Sequence, residues 1–457
     1  MEDGKEQLRI RTVPGTESLV YLHPDRRARL RLGLGMTTCF CSVKSTEVAV
    51  LVDTNVPRDM LVMTEAVSRR LCLNGTDSAL FATVRPNRIR IGPLIGILCH
   101  PTWRPKEHTL VRNRALEALE KLVAAASEQK ALGYLFRMDE VDFEDGTVLG
   151  YIKTSDGWKR RRLPLPDVIY DQMVSRKRER SKGYAELREQ LSNLYGQRIF
   201  NDGFFDKWAV HDWLQQDKSL RPHIPQTVRY TQAAVAVSFL QRFPVTFLKP
   251  VHGSLGLGIV RIVRHPDGSC NYDVKRAKQP PMHGSSPNAQ EVVKVFRSRL
   301  AARPYVLQQG IALAQYQDRP FDIRILLQRD GSGEWRRTKM FARVAKVGDF
   351  TSNISSGGEA LPVHTVFTEV FKRQAQAKAC QRELMHVTRR VTEVMEKSSG
   401  KVFGEMGLDI GVDQTGHIWV IEANSKPWKS PTTEKGRQDL VDLSFTRPIE
   451  YAVWLAQ

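Results

Sequence analysis

The spacing of apolar and polar positions divides the chain into three stretches of different texture. Residues 1–91 carry short β-branched runs, "EVAVLVDT" and "RIRIG", broken by Pro, Gly and Asn, which predicts a small β-rich domain. From 92 the character changes: "IGILC" reads as a buried strand, and "VRNRALEALEKLVAAASEQ" (111–129) repeats apolar residues with the period of an amphipathic helix. "ALGYLFRM", "TVLGYIK" and "DVIYDQMV" are further strands, followed by a charged helix near 176–194. Strands alternating with helices over 92–200 predict a layered α/β domain with a mainly parallel sheet.

The third stretch, 201–450, begins with two helical patterns, "FDKWAVHDWLQQD" and "TQAAVAVSFLQRF", and a strand "PVTFLKP". Strands follow at "YVLQQGI" near 305, "FDIRILLQ" (321–328) and "KMFARVAKV" (339–347), then a glycine-rich "SNISSGG" (352–358). A long helix fits 366–398, and the stretch closes on two strands, "FGEMGLDIGVD" and "HIWVIEANSKP", divided by the turn "QTG".

Length and composition narrow the class. A chain of 457 residues exceeds one ordinary core, and a hydrophobic fraction of 41% with mixed charge is globular. No apolar run reaches the ~18 residues of a transmembrane helix, and "MEDGKEQLRIRTV" lacks a signal-peptide pattern, so the cytoplasm is the expected location. Cys39, Cys41, Cys72, Cys99, Cys270 and Cys380 show neither CxxC nor zinc spacing and read as reduced core thiols. The net charge of +19 gathers in "RRARLRLGLG" (26–35), "WKRRR" (158–162) and "SRKRERSK" (175–182). Each run alone reads as a solvated helix face, but their sum points to an anionic partner: nucleic acid, anionic membrane, nucleotide or acidic substrate.

"KPVHGSLGLGIVRI" (249–262) places Gly253, Gly256 and Gly258 directly after Lys249 and Pro250. It matches neither a Walker loop nor the dinucleotide fingerprint, because both lead into a helix and here "IVRIV" follows. The loop therefore joins two strands as a hairpin flap. It is either a plain connection or a phosphate cradle in which glycines bring backbone N–H groups to an anion, with Lys249 as a point charge.

A second constellation lies at 409–424. On "GLDIGV" and "WVIEANSKP", Glu422 and Asn424 are i and i+2 on one strand face, and hairpin pairing can bring Asp409 beside them. Two carboxylates and an amide on one rigid face suit Mg²⁺, and an edge hairpin with its polar face in water is the alternative. Asp322 and Arg324 share a strand face as a surface ion pair or an anion clamp, while Arg343 and Asn353 add a cation and an amide near the second glycine turn.

The order Lys, glycine flap, Asp-x-Arg, Arg, Asn-glycine turn, Asp, Glu-x-Asn resembles the ATP-grasp enzymes over about 201–440. "DIRILL", "GDFTSNISSGG" and "EANSKP" together are similar to peptide-glutamate ligases of that superfamily, and the chain looks specifically like the YheC/YheD family of endospore formers over most of its length. The resemblance implies an α/β (α+β) ATP-grasp fold, preceded by a flavodoxin-like pre-ATP-grasp domain and the small β-rich domain. It also implies ATP and Mg²⁺ as cofactors, a ligase joining a carboxylate to an amine or thiol through an acyl phosphate, and association with the spore coat.

Carried over by position, Lys207 and Lys249 look like the two lysines on the ATP phosphates. Gly253, Ser254, Gly256 and Gly258 look like the flap over them. Gln308, Gln309 and Ile311 fall on the hinge that contacts adenine and ribose, where the family commonly has a glutamate. Asp409, Glu422 and Asn424 look like the Mg²⁺ ligands, and Arg324, Arg343 and Asn353 like transition-state and metal-side partners. The positive charge favours an acidic or polyanionic acceptor such as a peptide. Two other classes compete: a nucleotide-binding structural protein of the spore coat, and a nucleic-acid-binding module resting on charge alone.

Overall fold

A computed structural model gives the fold for residues 7–33, 35–76, 80–253, 258–276, 279, 282–346, 358–429 and 437–457. The β-rich start closes on itself. Strands Gln7–Val13, Met60–Thr64, Leu19–Leu22, Lys44–Val52, Gly35–Cys41, Arg88–Ile91 and Phe81–Arg85 form a barrel in that order. Inward positions alternate with outward ones, so Leu8, Val20, Cys39, Cys41, Val48 and Leu61 fill the interior. Burial pushes the Cys39 thiol up to about 12, which fits an inert core thiol. Cys99, Cys270 and Cys380 are likewise buried, whereas Cys72 is only half-buried.

The next sheet runs in the order Gly157–Pro164, Thr147–Thr154, Leu132–Asp142, Leu94–Leu98, Val168–Asp171, Ile199–Phe200. Its last four strands are parallel, and the first two form an antiparallel hairpin appended to that core. Its two faces serve different neighbours. Leu94, Leu98, Tyr134 and Phe136 merge with the barrel interior into one core. Ile95, Ile97, Val168 and Tyr170 pack against helix Arg114–Glu128 and the final helix Gln438–Leu455, so the chain's end returns to its middle. Helix Arg114–Glu128 starts where Asn113 accepts a hydrogen bond from the Leu116 N–H at 2.9 Å, an N-cap inside the expected 111–129 pattern.

Two expected helices are each broken. The charged helix expected near 176–194 is a short turn, Arg176–Glu179, and a helix, Lys182–Tyr195. Ser181 between them is extended (φ −68, ψ 143) as the second helix's N-cap, and no apolar stripe crosses the junction. The long helix expected at 366–398 is Val363–Val370 and Gln374–Ser399, separated where Phe371 turns into the core against Phe367.

Two antiparallel sheets complete the molecule. The glycine-loop sheet has the order Thr227–Arg229, Tyr305–Gln309, Val245–Pro250, Val260–Arg264, Cys270–Val274, Met282–Ser286. Leu248, Leu307, Val260 and Ile262 cover helices Ala233–Arg242 and Ala289–Val295 on one face. The second has the order Glu359–Leu361, Trp335–Val344, Arg319–Arg329, Glu405–Val412, Ile418–Asn424. Its apolar face, with Ile323, Ile325, Leu408 and Ile410, is backed by Leu384, Val387 and Val391 of Gln374–Ser399.

One buried asparagine stitches this last sheet to the mixed sheet. Asn201, in the left-handed region (φ 58), donates through Nδ2 to the Glu405 carbonyl at 2.8 Å and to the Ser425 carbonyl. Its Oδ1 accepts from the Gly404 and Glu405 N–H groups at 2.8 and 3.1 Å. Replacing it leaves four buried backbone groups without partners, so Asn201→Ala is expected to lower stability by about 3 kcal/mol, read from urea unfolding.

Candidate functional site

The polar face of the second antiparallel sheet is built by register. Arg324 pairs directly with Asp409, Asp409 with Glu422, Gly407 with Asn424, and Asp322 with Arg343. Cross-strand partners share a face, so one surface carries Asp322, Arg324, Arg343, Asp409, Glu422 and Asn424. Gly407 is needed there: an added Cβ would lie 2.9 Å from Pro427 Cβ and 3.5 Å from Arg324 Nη1. A residue with a side chain would force Pro427, just past the Glu-x-Asn strand, to shift.

The charges on this face are balanced in pairs. Arg324 Nη1 lies 2.8 Å from Asp409 Oδ1, and Arg343 Nη2 lies 3.2 Å from Asp409 Oδ2. Arg343 also grips Asp322 with two bonds of 2.6 Å, from Nε and Nη2. Burial pushes the Asp409 carboxyl up, but Arg324 and Arg343, helped by Lys207, bring it below its ordinary value. Burial alone would lower the Arg343 pKa; Asp409 and Asp322 instead raise it, so the guanidinium stays charged.

Lys207 reaches the face from another element. Asp206 caps helix Lys207–Gln216 by accepting from the Trp208 and Ala209 N–H groups at 2.8 and 3.0 Å, which fixes Lys207 in the first turn. From there Lys207 Nζ sits 2.5 Å from Glu422 Oε1.

The glycine-loop sheet faces this surface. Strands Val245–Pro250 and Val260–Arg264 pair antiparallel, as a hairpin flap requires. Gly253 and Gly258 lie on its two stems, and Gly258 needs its glycine: φ is +77 and a Cβ would run into the Arg303 guanidinium. Ser254 and Gly256 lie outside the described residues, as does Asn353. Lys249 is buried and donates to Gln308 Oε1, while Gln308 Nε2 donates to Thr227 Oγ1 at 3.2 Å. Burial lowers the Lys249 pKa to about 8, with Glu422 and Asp409 raising it and Lys207 lowering it further. The Lys207 N–H donates to the Val251 carbonyl at 3.3 Å, two residues past Lys249, which brings this strand end beside the lysine that meets Glu422.

The two glutamines part company. Gln308 shares the Lys249 face, whereas Gln309, one residue on, meets the chain before Thr227: its Oε1 accepts from the Gln226 N–H at 3.2 Å. Ile311 lies beyond the strand, with its carbonyl accepting from the Leu313 N–H at 3.0 Å. Thr227, His252 and Gly407 join the site without having been singled out in the sequence. His252 had a signal, its position just before Gly253; Thr227 had none.

For a divalent cation, the donor set is two carboxylates and one amide on a rigid face, and no cluster of three His, Cys, Asp or Glu side chains offers an alternative among the described residues. Asp409 Oδ1 is buried and receives no hydrogen bond: Arg324 Nη1 is close enough for charge attraction but off the bonding direction. A hard cation fits that orphaned oxygen.

A family model described as YheC/D like ATP-grasp matches residues 196–455, more than half of the chain and the whole of both facing sheets. The chain belongs to the YheC/D-like ATP-grasp family. The endospore coat-associated protein YheD of Bacillus subtilis (strain 168) is 26% identical over 374 residues, covering 82% of this chain and 81% of that protein. The endospore coat-associated protein YheC of the same organism is 26% identical over 306 residues, covering 67% and 82%. Among solved structures, D-alanyl-alanine synthetase A from Vibrio cholerae is similar at a TM-score of 0.46 with 11% identity, covering 77% of this chain and 96% of that one. The VanG D-Ala:D-Ser ligase from Enterococcus faecalis is similar at a TM-score of 0.44 with 11% identity, covering 80% and 100%.

The ion pairs carry a stability consequence. Arg343→Met removes the doubly bonded arginine from Asp322 and one of the two arginines from Asp409, and is expected to cost about 3 kcal/mol in urea unfolding.

Proposed function

We propose that the chain is an ATP- and Mg²⁺-dependent ligase that joins a carboxylate to an amine or thiol through an acyl phosphate. The observation that carries this reading is the arrangement of two sheets: Lys249 on the strand that runs to Gly253, tied to Lys207 through Val251, and Asp409, Glu422 and Asn424 in register on the other. A triphosphate between them meets cations from both sides.

In this reading Lys249 and Lys207 hold phosphate oxygens, and the stems at Gly253 and Gly258 carry the loop, with Ser254 and Gly256, over them. Gln308, anchored by Thr227 and Lys249, sits on the hinge strand with Gln309 and Ile311 on the adenosine side. Asp409, Glu422 and Asn424 would hold Mg²⁺, which would supply positive charge to the phosphates. Lys207, which balances Glu422 at 2.5 Å, stands where it can also meet a phosphate oxygen. Arg343 keeps Asp409 oriented, and Arg324, half-buried beside it, faces the transferring group.

A substrate carboxylate oxygen attacks the γ-phosphorus as the bond to the bridging oxygen breaks, giving an acyl phosphate and ADP. The nitrogen or sulfur nucleophile then forms its bond to the acyl carbon, phosphate departs, and the nucleophile's proton goes to solvent. The chain's work is positioning and charge stabilisation, so loss of Arg324 is expected to cost about 10²–10³ in rate. A second reading, nucleotide binding without turnover in a coat assembly, is favoured by the names of the two Bacillus subtilis relatives.

Two measurements test the proposal. Glu422→Ala is expected to abolish Mg²⁺-dependent ADP release against a panel of amino acids and peptides while its far-UV circular dichroism stays unchanged. Retained turnover would sink the assignment, and no turnover by wild type that binds ATP would favour the second reading. The second measurement uses Lys249. With its pKa at about 8, the free lysine is partly deprotonated at pH 8, and a triphosphate raises that pKa again. ATP binding should then take up roughly half a proton at pH 8 and almost none at pH 6.5. Calorimetry in buffers of different ionisation enthalpy reads this uptake, and Lys249→Met should remove it.

A further inference from the structure

The basic run "SRKRERSK" (175–182) contributes to the candidate site. It carries five Lys or Arg residues and one acid, Glu179. Glu179 is turned to other work: its Oε1 accepts from Arg188 Nη1 and from the Phe204 N–H, both at 3.0 Å.

Arg176 enters the site edge-on. Its Nη1 donates to the Phe205 carbonyl at 3.2 Å, its guanidinium lies 4.3 Å from the Phe204 ring centre, and its Nε is buried without a hydrogen-bond partner. The Phe205 N–H in turn donates to Ser425 Oγ at 3.2 Å, one residue past Asn424, which puts this arginine beside the metal-side strand; burial lowers its pKa, and Glu179 and Glu422 oppose that shift. Arg178 Nη1 contacts His100 Nε2, at the C-terminal end of strand Leu94–Leu98, and the His100 pKa is lowered first by burial and then by Arg137 and Arg178. Arg180 and Arg176 act in the same direction on His252, which leans on Asp206 at 3.2 Å beside Lys207.

Like charges therefore converge on the crevice outside the carboxyl ends of parallel strands, where α/β sheets take their ligands. Among the described residues Arg176, Arg178 and Arg180 have no carboxylate within ion-pair distance. Such an arrangement is unfavourable for the free chain and favourable once an anion enters.

We propose that Arg176, Arg178 and Arg180, with His100 and His252, form the subsite for an acidic peptide that presents one carboxylate to the Asp409–Glu422–Asn424 face and holds a second on Arg178. This rests on the ligase reading for the use of the first carboxylate, though not for the binding itself. Nucleic acid fits the subsite less well. The aromatic ring beside Arg176, Phe204, already lies against Arg176 and, at 5.0 Å, Lys426, so a base would compete with these cations for the ring.

The test is calorimetry on the full chain with three probes: triglutamate, trialanine and hexathymidylate, each with saturating Mg²⁺ and adenylyl imidodiphosphate and again without nucleotide. Triglutamate should bind, and trialanine should bind about tenfold more weakly or worse. Arg176→Gln and the surface change Arg178→Ala should each weaken triglutamate by about tenfold or more. Arg178 is exposed, so its variant keeps the fold, checked by an unchanged melting temperature. Absent triglutamate binding, equal binding of trialanine, tighter hexathymidylate, or unchanged affinity in both variants would each overturn the subsite. Nucleotide binding is read in its own titration. If the analogue fails to bind while triglutamate still depends on Arg178, the subsite stands and the ligase reading falls; the reverse pattern removes the subsite alone.

Discussion

The site depends on keeping one carboxylate ionised where it is nearly removed from water. Asp409 sits on a central strand, and a lone carboxylate there would cost several kcal/mol. Arg324 from one neighbouring strand and Arg343 from the next meet it, at 2.8 and 3.2 Å. Neither contact survives a slip of the strands: a shift of one residue sends every side chain to the other face and leaves charges in the apolar layer with Ile325 and Leu408. The ion pairs thus hold the register. That same register puts Glu422 opposite Asp409 and Asn424 opposite Gly407.

The same strand, four residues earlier, ties this sheet to the mixed sheet. Glu405 is fully buried and accepts from Tyr170 OH at 2.5 Å, Gln328 Nε2 at 2.9 Å, Gln172 Nε2 at 3.3 Å, and Lys429 Nζ. Asn201 binds the backbone on either side. Four donors converging on one buried carboxylate set the distance between the two sheets closely. One end of the strand thus positions the carboxyl edge of the mixed sheet, and with it the basic turn Arg176–Glu179, against the carboxylates at the other end. Lys426 on Asp171 Oδ1, at 2.6 Å and equally buried, repeats the tie just beyond Asn424.

Much of this was legible in the chain because it is local or periodic. The Glu-x-Asn pair shares a face by strand geometry alone, and the turn "QTG" between its strand and that of Asp409 forces them to pair. The flap between two strands, rather than between strand and helix, follows from "IVRIV" after the glycines. The amphipathic helix over 111–129 and the buried cysteines of Gly35–Cys41 were equally plain from spacing. Periodicity misled where a local signal interrupts it. Ser181 breaks a helix read from a charged run and Phe371 one read from apolar spacing, because a cap or a buried ring outweighs a few tenths of a kcal/mol of helix propensity.

The sequence by itself determined the element types, the face on which each charged residue stands, and the family, since these need only neighbours along the chain. Tertiary structure decided which faces meet. Only the folded chain separates Gln308, bonded to Lys249, from Gln309, which supports the adjoining strand. Only there does Arg343 become the partner of two carboxylates, and only there does a basic run that reads as a solvated helix come to rest beside Glu422. Charge, burial and hydrogen bonding act through space over a few ångströms, and they join residues as far apart in the chain as Arg90 and Ala456, 366 positions.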